Sequence, residues 1–333
     1  MEALLVEEIP EGAGWEYEPK WDGFRCLIFR DGKELELQSK AGQPLTRYFP
    51  ETAEAAAHLK PARFVLDGEL VVPEGKSLSF NQLLQRIHPA ASRVKKLSLE
   101  HPALFIAFDL LVDGKGKSLV TTPLKERRKS LEEFAIKFFP PKDHIRLSPA
   151  ANDIKTARQW FKRVGTDLDG IIAKRLDCPY MAGERSGMEK VKLRRTADCV
   201  IGGFRYAAKK KVIGSLLLGL YGNDGLLHHI GFCSGLTAKG RVKLTPKLEA
   251  LIKRPGFTGR APGGPSRWST ERSTEWQPLD PRLVIEVSYD HFTDGRFRHG
   301  TKLLRWRPDK APEQCRMDQV APAGKGLLGL LEG

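Results

Sequence analysis

A lysine is a poor nucleophile while it keeps its proton, so one that does chemistry needs fixed positive charge or desolvation beside it to free the amine. The run Glu18-Pro19-Lys20-Trp21-Asp22-Gly23-Phe24-Arg25 offers such a setting, with Lys20 just ahead of an Asp-Gly turn and of a strand-like apolar stretch. Asp22-Gly23 supplies the turn. Arg25 is expected to project from the following strand toward the same anion, where its planar fork can grip a phosphate. A lone Lys-x-Asp-Gly is most often a strand-entry turn, but the longer Glu-x-Lys-x-Asp-Gly-x-Arg pattern is far more restrictive.

Further candidates stand where polar groups are costly. The mostly apolar stretch 63–72 carries Asp67 and Glu69, and carboxylates in such a strand need a partner or a metal. Phe108 falls in the apolar stretch 103–112; core packing is the ordinary role of such a side chain, and stacking on a base is the other. Asp169 opens a loop that feeds a strand at 171–174. Lys190 and Lys192 share one strand face by their spacing, and two cations on one face of an apolar region ask for an anion. Near the end, Thr293-Asp294-Gly295-Arg296-Phe297-Arg298-His299 and Leu304-Arg305-Trp306-Arg307-Pro308-Asp309-Lys310 make a basic region able to hold a phosphate backbone.

The Lys20 run resembles motif I of the covalent nucleotidyltransferases, the superfamily of ATP-dependent DNA ligases, RNA ligases and mRNA capping enzymes. Leu66-Asp67-Gly68-Glu69-Leu70 resembles motif III, Phe108-Asp109-Leu110-Leu111 motif IIIa, and Asp169-Gly170-Ile171-Ile172-Ala173-Lys174 motif IV, with aspartate in the usual glutamate position. Lys190-Val191-Lys192 is similar to motif V and the last basic segment to motif VI. The order is that of the family. The resemblance implies that Lys20 attacks a nucleotide α-phosphate and carries the nucleoside monophosphate as a phosphoramide. It implies nucleotide contacts from Glu18, Arg25, Lys40, Glu69, Phe108, Lys190, Lys192, Arg298, Arg307 and Lys310, and metal contacts from Glu69 and Asp169. In those roles Phe108 stacks on the purine, Lys190 and Lys192 point to the α-phosphate, and Arg298, Arg307 and Lys310 meet the triphosphate when the C-terminal domain closes. The implied cofactors are ATP, held as covalent AMP, and Mg²⁺ or Mn²⁺. The departures are Asp169, one methylene shorter than glutamate, Lys40 for arginine, Met188-Glu189 where relatives often have tryptophan, and Gly300 where they have proline.

These residues need a scaffold. Strands are expected at 24–30 and 34–38, joined through Asp31-Gly32 so that the hairpin returns Lys40 to the side of Lys20. Helices are expected at 51–59, 80–87 with Ser79 as cap, 123–138, and 153–164 ending at Gly165. Arg194-Arg195-Thr196-Ala197-Asp198 is expected to be a hinge. Beyond it, short strands at 200–204, 215–221, 226–232, 283–289 and 302–306, with a helix at 237–252 and a Pro/Gly-rich stretch at 255–265, suggest a small OB-type barrel. The expected fold class is α+β: an adenylyltransferase (ATP-grasp-like ligase) domain over 1–195 with antiparallel sheets and flanking helices, an OB-fold β-barrel over 196–315, and a tail over 316–333.

At 333 residues the chain accommodates two cored domains. A net charge of +14 predicts attraction to polyanions, nucleic acid first, and salt-sensitive binding. The five cysteines are odd in number and never in a Cys-x-x-Cys pair, which reads as reduced thiols in a cytoplasmic protein. Residues 1–8 lack a basic region followed by a long apolar core, so no secretory leader is expected, and no apolar run reaches membrane-spanning length. The resemblance narrows to the small bacterial ATP-dependent DNA ligases. It implies a monomer that seals nicked double-stranded DNA in repair, associated with the nucleoid when acting and with end-joining or repair proteins as partners. The alternatives are an RNA ligase or capping guanylyltransferase, which share the lysine chemistry, and a non-catalytic OB-containing DNA-binding protein.

Overall fold

A computed structural model of the chain describes residues 1–75, 77–141, 143–163, 168–193, 195–208, 210–263, 275–320, 329 and 331, with the side chain of residue 163 left aside. It divides into two units, Met1–Leu193 with Ala323–Gly333, and Arg194–Pro322.

The first unit is built on two sheets. One has the strand order Glu34–Ser39, Phe24–Asp31, Arg63–Val71, Leu104–Val112, Ile145–Leu147. The other runs Leu4–Val6, Met188–Lys192, Leu168–Arg175, Trp15–Trp21. Most pairs are antiparallel, as expected; Leu4–Val6 with Met188–Lys192 and Leu104–Val112 with Ile145–Leu147 are parallel. Alternation explains the burial. In the Phe24–Asp31 strand Cys26 and Ile28 are fully buried, while Arg25 and Leu27 are half-buried on the other face. The larger core joins these residues to Leu66, Phe105, Leu110 and helix residues Leu131 and Phe134. The helices begin where local chemistry allows: Pro50 opens Pro50–His58, and Ser79 Oγ accepts the Gln82 amide at the start of Phe80–Gln85.

Several expectations change. Lys20 is not on a loop: it lies near the end of the strand Trp15–Trp21, whose odd positions are apolar and whose even positions 16, 18 and 20 are charged. Asp169 likewise lies inside a strand, Leu168–Arg175. The helix Ala91–Glu100 was not expected. The helix expected to stop at Gly165 is described as Ile154–Arg163; residues 164 and 165 lie outside the described residues.

In the second unit one antiparallel sheet runs Leu227–Cys233, Lys210–Tyr221, Arg195–Ala207, Val284–Tyr289, Lys302–Trp306, with Gln277–Pro278 added to the middle strand. This is the OB-type arrangement, though among the described residues no closed barrel forms: the end strands meet there through the isolated bridge Cys233 to Thr301, where the Thr301 amide donates to Phe232 O at 3.0 Å. Its core gathers Cys199, Ile201, Phe204, Leu216, Leu218, Ile230 and Ile285. Two strands are long, not short, at 13 and 12 residues. Residues 195–198, expected as a hinge, are strand residues paired with Tyr289–Glu286, and the strand is buried continuously from Ala197 to Phe204. Arg194, residues 264 and 265 of the Pro/Gly-rich stretch and most of the expected tail lie outside the described residues. Within the first unit, Leu331 packs on the cluster of Trp21, Val71, Ile106 and Leu168.

Candidate active site

The strand Trp15–Trp21 belongs to one sheet of the first unit and Phe24–Asp31 to the other, so Asp22-Gly23 carries the chain across from sheet to sheet. Gly23 is needed for close approach: a Cβ there would stand 2.1 Å from Leu70 O and 2.9 Å from Glu69 Cγ. Lys20 therefore lies at the edge of a cleft between the sheets, a cavity of about 250 Å³ lined by Glu18, Lys20, Arg25, Lys40, Asp67, Glu69, Phe108, Lys174, Tyr180 and Lys190, among others.

Lys20 Nζ sits 2.6 Å from Asp169 Oδ2, and Lys192 Nζ sits 3.0 Å from the same oxygen. The register makes this meeting. Gly170 pairs with Lys20 on one side and with Lys192 on the other. At φ +146° a Cβ on Gly170 would fall 1.8 Å from Val191 O, so glycine is required for the strands to come together here. Lys190 shares the face of Lys192 and lines the cavity; burial first, then the charges of Lys20 and Lys192, push its ammonium below the usual lysine range.

The facing sheet supplies the acids and the aromatic ring. Arg25 donates Nε to Asp67 Oδ1 at 3.0 Å and Nη2 to Asp67 Oδ2 at 2.6 Å. Its remaining donors go to Tyr180 Oη and the Met1 carbonyl, and Tyr180 itself donates to Asp67 at 2.7 Å. The fork expected to grip a phosphate is thus committed to a fully buried carboxylate, whose charge Arg25 balances and to which Tyr180 adds one hydrogen bond. Glu69 differs. It makes no hydrogen bond or ion pair among the described residues, and burial, opposed by Lys20 and Arg25, raises its carboxyl to about 8. Phe108 is half-buried at the cavity wall, with Lys174 Nζ 4.8 Å and Arg25 Cζ 5.7 Å from its ring centroid. Glu18 is buried and accepts from Lys174 Nζ at 2.5 Å, and that ammonium also donates to Phe108 O at 3.2 Å. Lys40 does line the cavity and pairs with Glu2 at 2.7 Å, which holds the Glu2 carboxyl down at about 2.

Lys174, Tyr180 and Asp67 were not assigned nucleotide roles from sequence, although Lys174 closes the segment that contains Asp169. A buried pair of acids, Glu16 and Glu18, also lies on the Lys20 face of its strand. Burial and then the charge of Glu18 raise Glu16 to about 7.

In the second unit Arg307 and Lys310 do come together, on Asp198: Arg307 Nη1 lies 2.8 and 3.0 Å from its oxygens and Lys310 Nζ 2.7 Å from Oδ2. Arg298 is half-buried and its amide donates to His291 O at 3.0 Å.

A divalent cation fits Glu69 better than Asp169. Mg²⁺ is commonly held by one or two carboxylates together with substrate phosphates and water, and the unpartnered carboxyl of Glu69 is free to serve. Asp169 already holds two ammonium groups, so a metal there has to displace one. Among the described residues no three His, Cys, Asp or Glu side chains cluster as an all-protein metal cage.

Residues 5–192 match the ATP dependent DNA ligase domain family and residues 209–310 the ATP dependent DNA ligase C terminal region. DNA ligase C1 of Mycolicibacterium smegmatis is 45% identical across 100% of this chain and 96% of its own length. The multifunctional non-homologous end joining protein LigD of the same organism is 32% identical over 90% of this chain, which corresponds to 37% of that larger protein. A solved structure of a Lig E DNA ligase, 16% identical, shares the fold with a TM-score of 0.57, covering 92% of this chain and 100% of that one. With both units matched and a relative alike from end to end, the chain belongs to the ATP-dependent DNA ligase family, among its small bacterial members.

Proposed function

We propose that Lys20 is the nucleophile and that the cleft between the two sheets of the first unit holds ATP for its attack. The observation that carries this is the Lys20 amine at the cavity edge, 2.6 Å from Asp169, with Lys190 and Lys192 beside it. Asp169 holds the amine in place and is the nearest carboxylate to take its proton, while the flanking lysines disfavour a third positive charge. The Nζ electron pair then forms the bond to the α-phosphorus as the bond to the bridging oxygen breaks, and pyrophosphate leaves with that pair. Lys190 and Lys192 offer charge to the α-phosphate. Phe108 is the base platform, held from behind by the Lys174–Glu18 pair. Glu69 would hold Mg²⁺, which when bound would supply charge neutralisation for a phosphoryl group. Arg298, Arg307 and Lys310 serve the pyrophosphate.

The adenylate passes next to the 5′-phosphate of a nick, and the 3′-hydroxyl attacks that phosphate and expels AMP. The net charge of +14 supports holding nicked duplex DNA through its backbone, as suits sealing of any sequence. Likeness to a LigD protein supports a place in DNA repair alongside end-joining proteins. Among the described residues no helix is long and apolar enough to cross a membrane. The deciding experiment is incubation with α-labelled ATP or GTP followed by denaturing electrophoresis. Label from ATP on the wild type, and at least about a thousandfold less on Lys20→Ala, is expected; label retained by Lys20→Ala reassigns the nucleophile. Sealing of nicked DNA but not nicked RNA separates this enzyme from RNA ligases.

A further inference from the structure

Arg307 and Lys310 have long side chains whose ordering costs entropy, yet here both end on one acid. Asp198 is buried and its backbone is fixed twice by Gln319, which accepts from its amide at 3.0 Å and donates to its carbonyl at 3.3 Å. It also sits mid-ladder, paired with Glu286 in the neighbouring strand. Arg307 is anchored in turn, its amide donating to Val284 O at 2.9 Å and its Nε and Nη2 to Asp309 at 3.0 and 2.8 Å. The acid is the rigid post and the cations are brought to it. A lysine ammonium has three donors, and Lys310 spends one of them on Asp198.

We infer that Asp198 is a positioning residue for the first chemical step, holding Arg307 and Lys310 side by side so that they meet the departing pyrophosphate as a preset pair. This rests on the reading of Lys20 and ATP proposed above. Without the carboxylate the two cations repel one another and take up separate solvated rotamers, and the pair has to be reassembled at each turnover. Pyrophosphate is present only while the Lys20 adduct forms or is reversed. The consequence is a split between steps.

The test compares three rates in the full chain. Asp198→Asn is expected to slow formation of the labelled Lys20 adduct at saturating ATP by about tenfold to a hundredfold, and to slow discharge of the adduct by added pyrophosphate to the same degree. Sealing of a nick already carrying a 5′-adenylate should stay within about threefold of wild type, which also reports that the variant is folded. Asp198→Glu, which keeps the charge, should recover part of the loss. Arg307→Ala/Lys310→Ala and the triple variant that adds Asp198→Asn should match each other within about threefold, because Asp198 acts through those two cations. Equal losses in adduct formation and in sealing of the adenylated nick would reduce Asp198 to a structural support, and unchanged adduct formation would remove it from the reaction; either overturns the inference. Failure of the wild type to take label takes down the ligase chemistry itself, and is read without any variant.

Discussion

Asp169 in the first unit and Asp198 in the second do the same thing with different partners. Each is a buried aspartate on a sheet strand, and each gathers two cations on its carboxylate, Lys20 with Lys192 in one case and Arg307 with Lys310 in the other. The difference lies in what the cations can become. Lysine can give up its proton and form a bond; arginine keeps its charge under all ordinary conditions. The Asp169 group also opens, through Lys20, on the cavity that Glu69 lines, a carboxyl without a partner among the described residues, whereas Arg307 is tied again to Asp309. On the reading proposed above, the same local device would serve bond formation where the cation is a lysine facing a cavity, and charge placement where it is a doubly anchored arginine.

The comparison breaks if the two aspartates behave alike when neutralised. Asp169→Asn is expected to depress both adduct formation and sealing of a pre-adenylated nick, each by about a hundredfold or more, since Lys20 and Lys192 lose their shared anchor. Asp198→Asn should affect the first alone. Matching step profiles for the two variants would show that the resemblance between the sites goes deeper than argued.

A smaller effect separates fixed charge from working charge inside the cleft. Arg25→Lys keeps the cation but loses the two-pronged grip on Asp67, leaving a fully buried carboxylate partly compensated. A loss of about 2 kcal/mol in urea unfolding is expected; a stability equal to wild type would mean that Arg25 is not the framework residue its contacts describe.

The smallest effect concerns pH. Glu16 is raised to about 7 by burial and by Glu18. Its folded value lies above its unfolded one, so the protonated form is the one the fold favours, and stability from this group is lost as pH rises from about 4.5 through 7. Glu16→Gln should therefore melt like wild type near pH 4 and at a higher temperature than wild type near pH 8, by an amount worth on the order of 1–3 kcal/mol. Equal melting at both ends would show that the buried acid is compensated by Lys174 and Arg128.

Much of this site was legible in residue types and order. Lys20, Glu69, Phe108, Lys40 and Lys190 were singled out from short segments, and all of them line one cavity. The strand that bears Lys20 was legible too and went unread: Trp15, Tyr17, Pro19 and Trp21 alternate with Glu16, Glu18 and Lys20, a period of two that outweighs the loop signal of Asp22-Gly23. Pairings were harder. Tyr180 is 113 positions from Asp67, and Arg307 is 109 from Asp198, and nothing local in the chain announces which acid a distant cation will choose. One signal was available. Asp198 stands in the otherwise apolar run Ala197-Asp198-Cys199-Val200-Ile201, and the cost argument that picked out Asp67 and Glu69 applies to it equally. The strand positions of the second unit were legible, but the full length of its central strand was not, because Arg195 and Thr196 look like linker until their partners Tyr289 and Ser288 are known.

The crossing at Asp22-Gly23 makes the two walls of the cleft consecutive in the chain, with Lys20 two positions before the seam and Arg25 two positions after it. A substitution that lets one sheet slide or tilt against the other should therefore move Lys20, the proposed nucleophile. Variants with altered adenylation rates should be sought in the packing beneath Gly23 and Leu70 as readily as among the charged residues themselves.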